Sequence, residues 1–301
     1  MNAGEIRTVA IVGAGAMGAM YAAHFVAGGL TTWLVAAGER AERLRSTGLT
    51  VNGEPLTAEV VDPQQADGRV ADLVVFAVKH QQLPEAVDLV APLVGPDTIH
   101  LSVLNGLDSE EIIAARFGRD GVLACIALAM DAERSGSQIS FRQAGRLTFG
   151  PTDTLGSAEL VAPVCTALDR AGLAHTVPED MRHELWWKFM VNVGLNQASA
   201  VLRAPYGAFK PEGHPRSLME ALMDEVLAVS RPEGVGLGEA DVAKWNQVLA
   251  NQPEEGITSM HQDVLAGRPT EVDIFAGRMV ELGAEHGIPT PYNQAMRWIL
   301  S

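Results

Sequence analysis

The first third of the chain alternates between short apolar runs and longer amphipathic stretches. The apolar runs are rich in β-branched residues and cover residues 7–13, 31–36, 72–79 and 98–105. Such runs are typical of strands that are buried on both faces of a parallel sheet. A helical pattern follows each of them, and these patterns predict helices at residues 19–27, 39–46, 83–90 and 109–117. Strands that alternate with helices predict βαβ units.

The pattern changes twice further along the chain. Residues 122–149 are rich in strand-like segments, which predict additional edge strands for the same sheet. Beyond Pro178, helical patterns prevail up to residue 301, with breaks at prolines and glycines. We therefore expect an α/β fold, with a Rossmann-type parallel sheet in a dinucleotide-binding domain at residues 1–178 and an all-helical domain at residues 179–301.

A glycine-rich turn joins the first predicted strand to the first predicted helix. It has the pattern Gly13-x-Gly15-x-x-Gly18, with Ala16 and Met17 between the last two glycines. In this position the first glycine permits a tight turn, the second lets the backbone approach a pyrophosphate, and the third lets the helix pack on the strand. The helix N-terminus adds free N–H groups and a partial positive charge. The turn therefore predicts a dinucleotide-binding site.

The residues after the second predicted strand bear on which dinucleotide binds. An acidic residue there would bind the ribose hydroxyls of NAD, but this strand ends in uncharged residues that include Ala37, and Glu39 lies beyond it. Arg40 and Arg43 follow, and an arginine can bind a 2′-phosphate with two hydrogen bonds. The sequence favours NADPH, with Arg40 as a cofactor-binding residue, and leaves NADH open.

A polar stripe lies within an apolar stretch of the helical region. After Trp187, the polar residues of this stretch are Lys188, Asn192 and Asn196, which are spaced four residues apart and share one helix face. Burying these groups costs free energy unless each finds a partner. Two interpretations remain open at this point. The stripe is either a structural set of hydrogen bonds with a lysine that reaches solvent, or the wall of a substrate cleft.

Charge and composition narrow the classes of partner. The 301 residues include 22 Lys and Arg against 37 Asp and Glu, a net charge of −15, which argues against nucleic acid or an anionic membrane as a partner. The sequence has no apolar run long enough to span a membrane, and we expect a cytoplasmic protein. Cys125 and Cys165 lie in apolar surroundings without a CxxC motif, so we expect reduced thiols and no metal site.

Further motifs carry a resemblance to a known family. They are Val78-Lys79-x-x-Gln82, Asn105-Gly106, Ser259-Met260-x-Gln262-Asp263, and the segment GRPTEVD at residues 267–273. Together with the glycine turn and the lysine-containing helix, they cover essentially the whole chain. The sequence resembles the ketopantoate reductase (2-dehydropantoate 2-reductase) family.

This resemblance implies roles for individual residues. Lys188 would be the general acid that protonates the ketone oxygen, because a lysine in a partly apolar cleft has a lowered pKa. Glu271 would be the second catalytic residue and would orient Lys188 or a substrate hydroxyl. The substrate-binding residues would be Asn105, Asn192, Asn196 and Ser259, and the cofactor would also contact Lys79 and Asn105.

The implied reaction is the NADPH-dependent reduction of a small-molecule 2-oxo acid, with ketopantoate as the expected substrate in pantothenate biosynthesis. The enzyme would be a monomer or homodimer. Members of this family often have an arginine where this chain has Ala37, so the choice between NADP and NAD remains open. Relatives that act on other 2-oxo acids leave the exact substrate open as well.

Two alternatives belong to other classes. A β-hydroxyacid dehydrogenase also pairs a cofactor turn with Lys-x-x-x-Asn, but a glycine-rich turn usually precedes its lysine, whereas residues 180–187 here contain no glycine. A non-catalytic dinucleotide-sensing protein would need the turn but no proton donor. The presence of Lys188 together with Glu271 favours the enzyme.

Overall fold

The computed structural model describes residues 4–301, which form two compact units. The first unit ends at Met181 and the second comprises Arg182–Ser301. The first unit is an α/β unit built on a mostly parallel sheet, and the second is helical. The predicted fold class is therefore confirmed.

The first unit contains two sheets and the helices that cover the larger one. In the described part of this unit the strands are β1 (Thr8–Val12), β2 (Thr31–Val35), β3 (Thr50–Val51), β4 (Glu54–Pro55), β5 (Glu59–Val61), β6 (Ala71–Phe76), β7 (Val94–Ser102), β8 (Val122–Leu128), β9 (Glu133–Ser135), β10 (Gln138–Ser140), β11 (Arg146–Gly150) and β12 (Ala174–Thr176). The α-helices are α1 (Ala16–Ala27), α2 (Gly38–Thr47), α3 (Leu83–Val90), α4 (Ser109–Phe117) and α5 (Val161–Arg170).

The larger sheet has eight strands in the order β12-β11-β8-β7-β6-β1-β2-β5. From β8 to β5 every neighbouring pair is parallel, and β11 pairs antiparallel to β8. Along β1, Val9 and Ile11 belong to one apolar core, while Ala10 and Val12 belong to a second core. Successive side chains of a strand point to opposite faces, so both faces of β1 are buried. This burial explains the continuous apolar pattern of the strand.

The prediction of edge strands at residues 122–149 was wrong for β8 and β11, which lie inside the large sheet, and for the hairpin between them. Strand β8 lies inside the large sheet between β7 and β11, which agrees with its apolar sequence. Strands β9 and β10 instead join β3 and β4 in a separate four-stranded sheet. The edges of the large sheet are β5 and β12.

The second unit consists of helices, two of which contain a wider π-helical turn. Helix α6 (Met181–Val191) begins at the unit boundary and leads into the first π segment (Asn192–Asn196); the second π segment is Asp273–Gly277. The remaining helices are α7 (Gln197–Leu202), α8 (His214–Ser230), α9 (Glu239–Ala250), α10 (Ser259–Leu265), α11 (Arg278–His286) and α12 (Pro291–Leu300). None of the helices within residues 4–301 has the length and apolar character needed to cross a membrane.

Both cysteines are unpaired thiols in the first unit, Cys125 buried and Cys165 half-buried. Burial raises the pKa of each thiol. Over the described range, residues 4–301, no group of three His, Cys, Asp or Glu side chains is arranged to hold a metal ion.

One buried carboxyl group makes the stability of the first unit depend on pH. Glu110 in α4 is 2% exposed, accepts a hydrogen bond from the Ser109 hydroxyl at 2.7 Å and another from the Cys125 N–H at 3.3 Å. Burial raises the pKa of Glu110 from 4.5 to about 7. The folded chain therefore holds this proton at pH values where the unfolded chain has lost it, and stability falls as pH rises from 4.5 to about 7.

We expect Glu110→Gln to remove this contribution, because an amide keeps the shape of the protonated acid: its oxygen can accept from the Cys125 N–H, and its NH2 group can donate to the Ser109 hydroxyl oxygen. Between pH 5 and pH 8 the variant should gain on the order of 2–3 kcal/mol in stability relative to the parent. Urea unfolding of both proteins at the two pH values measures the difference. A stability gap that is the same at pH 5 and pH 8 would contradict the assignment.

Candidate functional site

The glycine turn follows β1 at its carboxyl end and is held by close backbone packing. Gly13 has φ +109°, a conformation that favours glycine. A Cβ atom there would lie 2.5 Å from the carbonyl oxygen of Ala77, which follows β6. A Cβ atom at Gly18 would overlap the carbonyl oxygen of Gly13. The packing of the first unit therefore requires both of these glycines.

Gly15 differs from its two neighbours in the motif. A Cβ atom at Gly15 would meet no heavy atom of the described residues within 4 Å, so internal packing does not require glycine here. Gly15 is the N-cap of α1, and the first turn of that helix has no side-chain cap. An uncapped helix N-terminus beside an open glycine backbone fits the pyrophosphate of a dinucleotide. Because Ala16 is the first residue of α1 and Met17 the second, both have backbone N–H groups in this first turn.

Three further predicted cofactor-binding residues come after the carboxyl ends of strands in the same sheet. Lys79 comes after β6, which pairs parallel with β1, and Asn105 comes after β7, which pairs parallel with β6. The carboxyl ends of parallel strands meet at one edge, where doubly wound sheets bind their ligands. Lys79 is exposed and Asn105 half-buried. Arg40 is exposed in the first turn of α2, which follows the neighbouring strand β2.

In the second unit, Lys188 and the two asparagines follow one another along α6 and the first π segment. Lys188 lies in the last turn of α6, and Asn192 and Asn196 are the two ends of the π segment. Both asparagines are buried, and Asn196 Nδ2 donates a hydrogen bond to Asn192 Oδ1 at 3.3 Å. The asparagine side chains therefore meet, as their spacing predicts. They do so across a π turn rather than a regular α-helix, and such turns are frequent at functional sites.

The surroundings of Lys188 change the pKa of its ammonium group. Desolvation lowers the pKa of Lys188 to about 8, and the negative charge of Glu271 acts against this shift. Glu271 is half-buried and precedes Val272 and the second π segment. A lysine with this pKa holds a proton at neutral pH and can release it to a developing alkoxide. The charge of Glu271 acts on the pKa of Lys188, so the two side chains lie near each other, which sequence spacing alone could not establish.

Ser259 lies in the same unit, at the start of α10. It is exposed, and the preceding residue Thr258 is the N-cap of the helix. The Thr258 hydroxyl accepts a hydrogen bond from the His261 N–H at 3.1 Å and lies 2.6 Å from the Ser199 hydroxyl of α7. These contacts fix the first turn of α10 and hence the backbone of Ser259. His261 is buried, and burial lowers its pKa.

Comparison with known proteins assigns this arrangement to a family. A sequence profile described as Ketopantoate reductase PanE/ApbA matches residues 9–154, and the profile of its C-terminal part matches residues 180–300. A 2-dehydropantoate 2-reductase from Vibrio cholerae is 30% identical, with 96% of this chain and 95% of the relative covered. This chain belongs to the ketopantoate reductase family. The resemblance to this family that the sequence motifs indicated is thereby confirmed.

Solved structures agree with membership in the ketopantoate reductase family. A ketopantoate reductase from Ralstonia eutropha JMP134 is 27% identical with a TM-score of 0.82, and 97% of each chain is covered. D-mandelate dehydrogenase, solved with NADH and anilino(oxo)acetate, shares the fold with a TM-score of 0.85 at 22% identity over 97% of each chain. This ketopantoate reductase family member is an NAD(P)-dependent oxidoreductase that acts on a small-molecule keto acid.

One residue beside the glycine turn was not predicted from the sequence. Arg134 in β9 donates a hydrogen bond from Nη1 to the carbonyl of Ala14, inside the turn, and a second from Nε to the carbonyl of Gly136 at 2.8 Å. A guanidinium group therefore lies against the proposed pyrophosphate site of this ketopantoate reductase family member. Arg134 belongs to a short exposed strand without a motif, so the sequence contains no local signal for this contact.

Proposed function

We propose that this protein reduces a 2-oxo acid to the corresponding 2-hydroxy acid, with ketopantoate as substrate and NADPH as the hydride donor. The observation that carries the proposal is Lys188, a lysine with a pKa of about 8 coupled to the carboxylate of Glu271. The buried pair Asn192 and Asn196 follows on the same helix. The relative from Vibrio cholerae, named 2-dehydropantoate 2-reductase, supports the choice of substrate.

The first unit would hold the cofactor, which supplies a hydride from its nicotinamide ring when bound. The backbone of the turn, with Gly15, Ala16 and Met17, would bind the pyrophosphate through N–H groups. Lys79 and Asn105 would contact the cofactor at the carboxyl edge of the sheet. Arg40 would pair with the 2′-phosphate of NADPH, and NADH remains the alternative because Ala37 carries no charge.

The second unit would supply the proton. As the carbonyl carbon gains a hydride, the ketone oxygen takes a proton from the Lys188 ammonium, which yields the alcohol and a neutral amine. Glu271 would orient the ammonium group and keep it protonated, since its negative charge raises the pKa of Lys188. Asn192 and Asn196 would bind substrate oxygens, and Ser259 would bind the carboxylate.

The test is the oxidation of NADPH and of NADH against a panel of 2-oxo acids that includes ketopantoate. We expect the highest kcat/KM for NADPH with ketopantoate. If either dinucleotide binds but no 2-oxo acid is reduced, the protein is a dinucleotide-sensing protein and the proposal is wrong. A higher kcat/KM with another 2-oxo acid would keep the reaction but replace the substrate. Light scattering on the same sample distinguishes a monomer from a homodimer.

The pH profile of the reaction provides a separate prediction. Because reduction needs protonated Lys188, kcat/KM for reduction should fall above a pH of about 8, and the rate of alcohol oxidation should rise through the same pH. In Glu271→Gln the inflection should move to lower pH, since that variant lacks the charge that raises the pKa of Lys188. Reduction rates that stay constant from pH 7 to well above pH 9 would contradict the assignment.

A further inference from the structure

The first π segment has an unusual hydrogen bond at its C-terminal end. In a regular α-helix, the backbone N–H of Gln197 would donate to the carbonyl of Val193. Here that N–H donates to the carbonyl of Gly194 instead. The Val193 carbonyl accepts its hydrogen bond from the side-chain Nε2 of Gln197 at 2.8 Å. The side chain thus occupies the place that a backbone donor would fill if the helix were regular.

Gln197 is itself connected to two buried side chains of other helices, directly to Asn293 and through Asn293 to Glu225. Its Nε2 also donates to Asn293 Oδ1 in α12 at 3.0 Å, and Asn293 Nδ2 donates to Glu225 Oε2 in α8 at 2.7 Å. The Glu225 carboxylate also accepts the backbone N–H groups of Tyr292 at 2.8 Å and Asn293 at 3.0 Å, in the first turn of α12. A continuous series of hydrogen bonds therefore connects the Val193 carbonyl to Glu225.

This network is costly for a protein that needs only a packed core. Gln197 and Asn293 are both 0% exposed, and the Gln197 Oε1 accepts no hydrogen bond from any described residue. Burying an amide with an unsatisfied oxygen costs free energy that an apolar side chain of similar size would not. The network is explained if it fixes the geometry of the π segment and does not serve to stabilise the folded protein.

The π segment determines where Asn196 lies relative to Lys188, because it ends at Asn196 and follows the helical turn that contains Lys188. If the segment became α-helical, everything after it would rotate by about 100°, the turn of one residue. Asn196 would remain a neighbour of Asn192, as at 3.3 Å now, but it would be displaced around the helix axis relative to Lys188. The close packing of Gly194, where a Cβ atom would lie 2.5 Å from Met223 Cγ of α8, holds the middle of the same segment.

We propose that Gln197, with Asn293 and Glu225 behind it, is a positioning residue that holds the first π segment in the form that presents Asn192 and Asn196 to the substrate. The inference rests on the proposed function, in which these asparagines bind the 2-oxo acid. None of the three positioning residues contacts substrate in this assignment. They act through the backbone of the π segment.

The test is Gln197→Met, which keeps the volume but removes the donor. We expect KM for the 2-oxo acid to rise at least tenfold, with a smaller change in kcat, an unchanged pH inflection and an unchanged Kd for NADPH. Asn293→Ala leaves the Gln197 donor in place, so it should raise KM by a smaller factor and serves if Gln197→Met does not fold. Leu282→Ala in α11, a buried apolar truncation in the same unit, should lower Tm while leaving KM unchanged.

Two further results decide the proposal. A crystal structure of Gln197→Met should have an α-helical segment in place of residues 192–196. An unchanged KM in the folded variants, or an equal rise of KM in Leu282→Ala, would overturn the positioning role. If the parent protein reduced no 2-oxo acid, the proposed function would fail instead, and the helix geometry of Gln197→Met would still test the structural half of the inference.

Discussion

Replacing Lys188 with alanine should lower kcat for 2-oxo acid reduction by about 10²–10⁴-fold, the usual contribution of a general acid. The Kd of NADPH should stay unchanged, since its proposed site belongs to the first unit. The large effect follows from the lowered pKa of about 8, which makes Lys188 a competent proton donor near neutral pH. Steady-state NADPH oxidation with saturating ketopantoate, together with cofactor titration by fluorescence, measures both quantities.

Lys188→Arg is the control for charge. Arginine keeps a cation that can attract the substrate carboxylate, but its pKa lies above about 12 and it does not give up its proton. We expect this variant to retain part of the substrate affinity and to lose the turnover rate. Added methylamine should restore part of the rate to Lys188→Ala, because a small amine can occupy the space that the truncation leaves. Near-normal turnover in Lys188→Ala would rule out its role as the acid.

The central strands of the large sheet could be predicted from the sequence, because the pattern that identifies each of them lies within the strand itself. Strands such as β1 and β6 are buried on both faces, so their apolar runs can be recognised without knowing which strands they pair with. The small sheet could not be predicted in this way. Its strands β3 and β10 have two and three residues, and they pair across the distance from Val51 to Ile139. No local pattern encodes such a contact.

The candidate site was predictable to a similar extent. Asn192 and Asn196 meet as their spacing predicts, because residues four apart are neighbours in a helix of either kind. The π turn between them depends on a side chain, Gln197, and on its partner Asn293 from a distant helix. That Glu271 acts on Lys188 could be predicted only from the family resemblance. Periodicity within one helix cannot indicate which residue of another segment lies opposite.

Alanine substitutions in the glycine turn should separate cofactor binding from folding. In Gly15→Ala we expect stability within about 0.5 kcal/mol of the parent, because the added Cβ meets no heavy atom of the described residues within 4 Å. The Kd of NADPH and of NADH should nevertheless rise on the order of tenfold to a hundredfold, about 1.4–2.8 kcal/mol. The reason is that the methyl group would occupy the space through which the pyrophosphate approaches the backbone.

Gly18→Ala is the matched variant in the same turn. Its Cβ would overlap the Gly13 carbonyl oxygen, so α1 has to move away from β1, and overpacking of this kind costs about 1–3 kcal/mol or more. We expect this variant to lose both stability and dinucleotide binding. Thermal unfolding and isothermal titration of the two variants, side by side, compare the two effects. If Gly15→Ala bound both dinucleotides as tightly as the parent, the open face of the turn would not be the pyrophosphate site, and the first unit would have to hold its cofactor elsewhere.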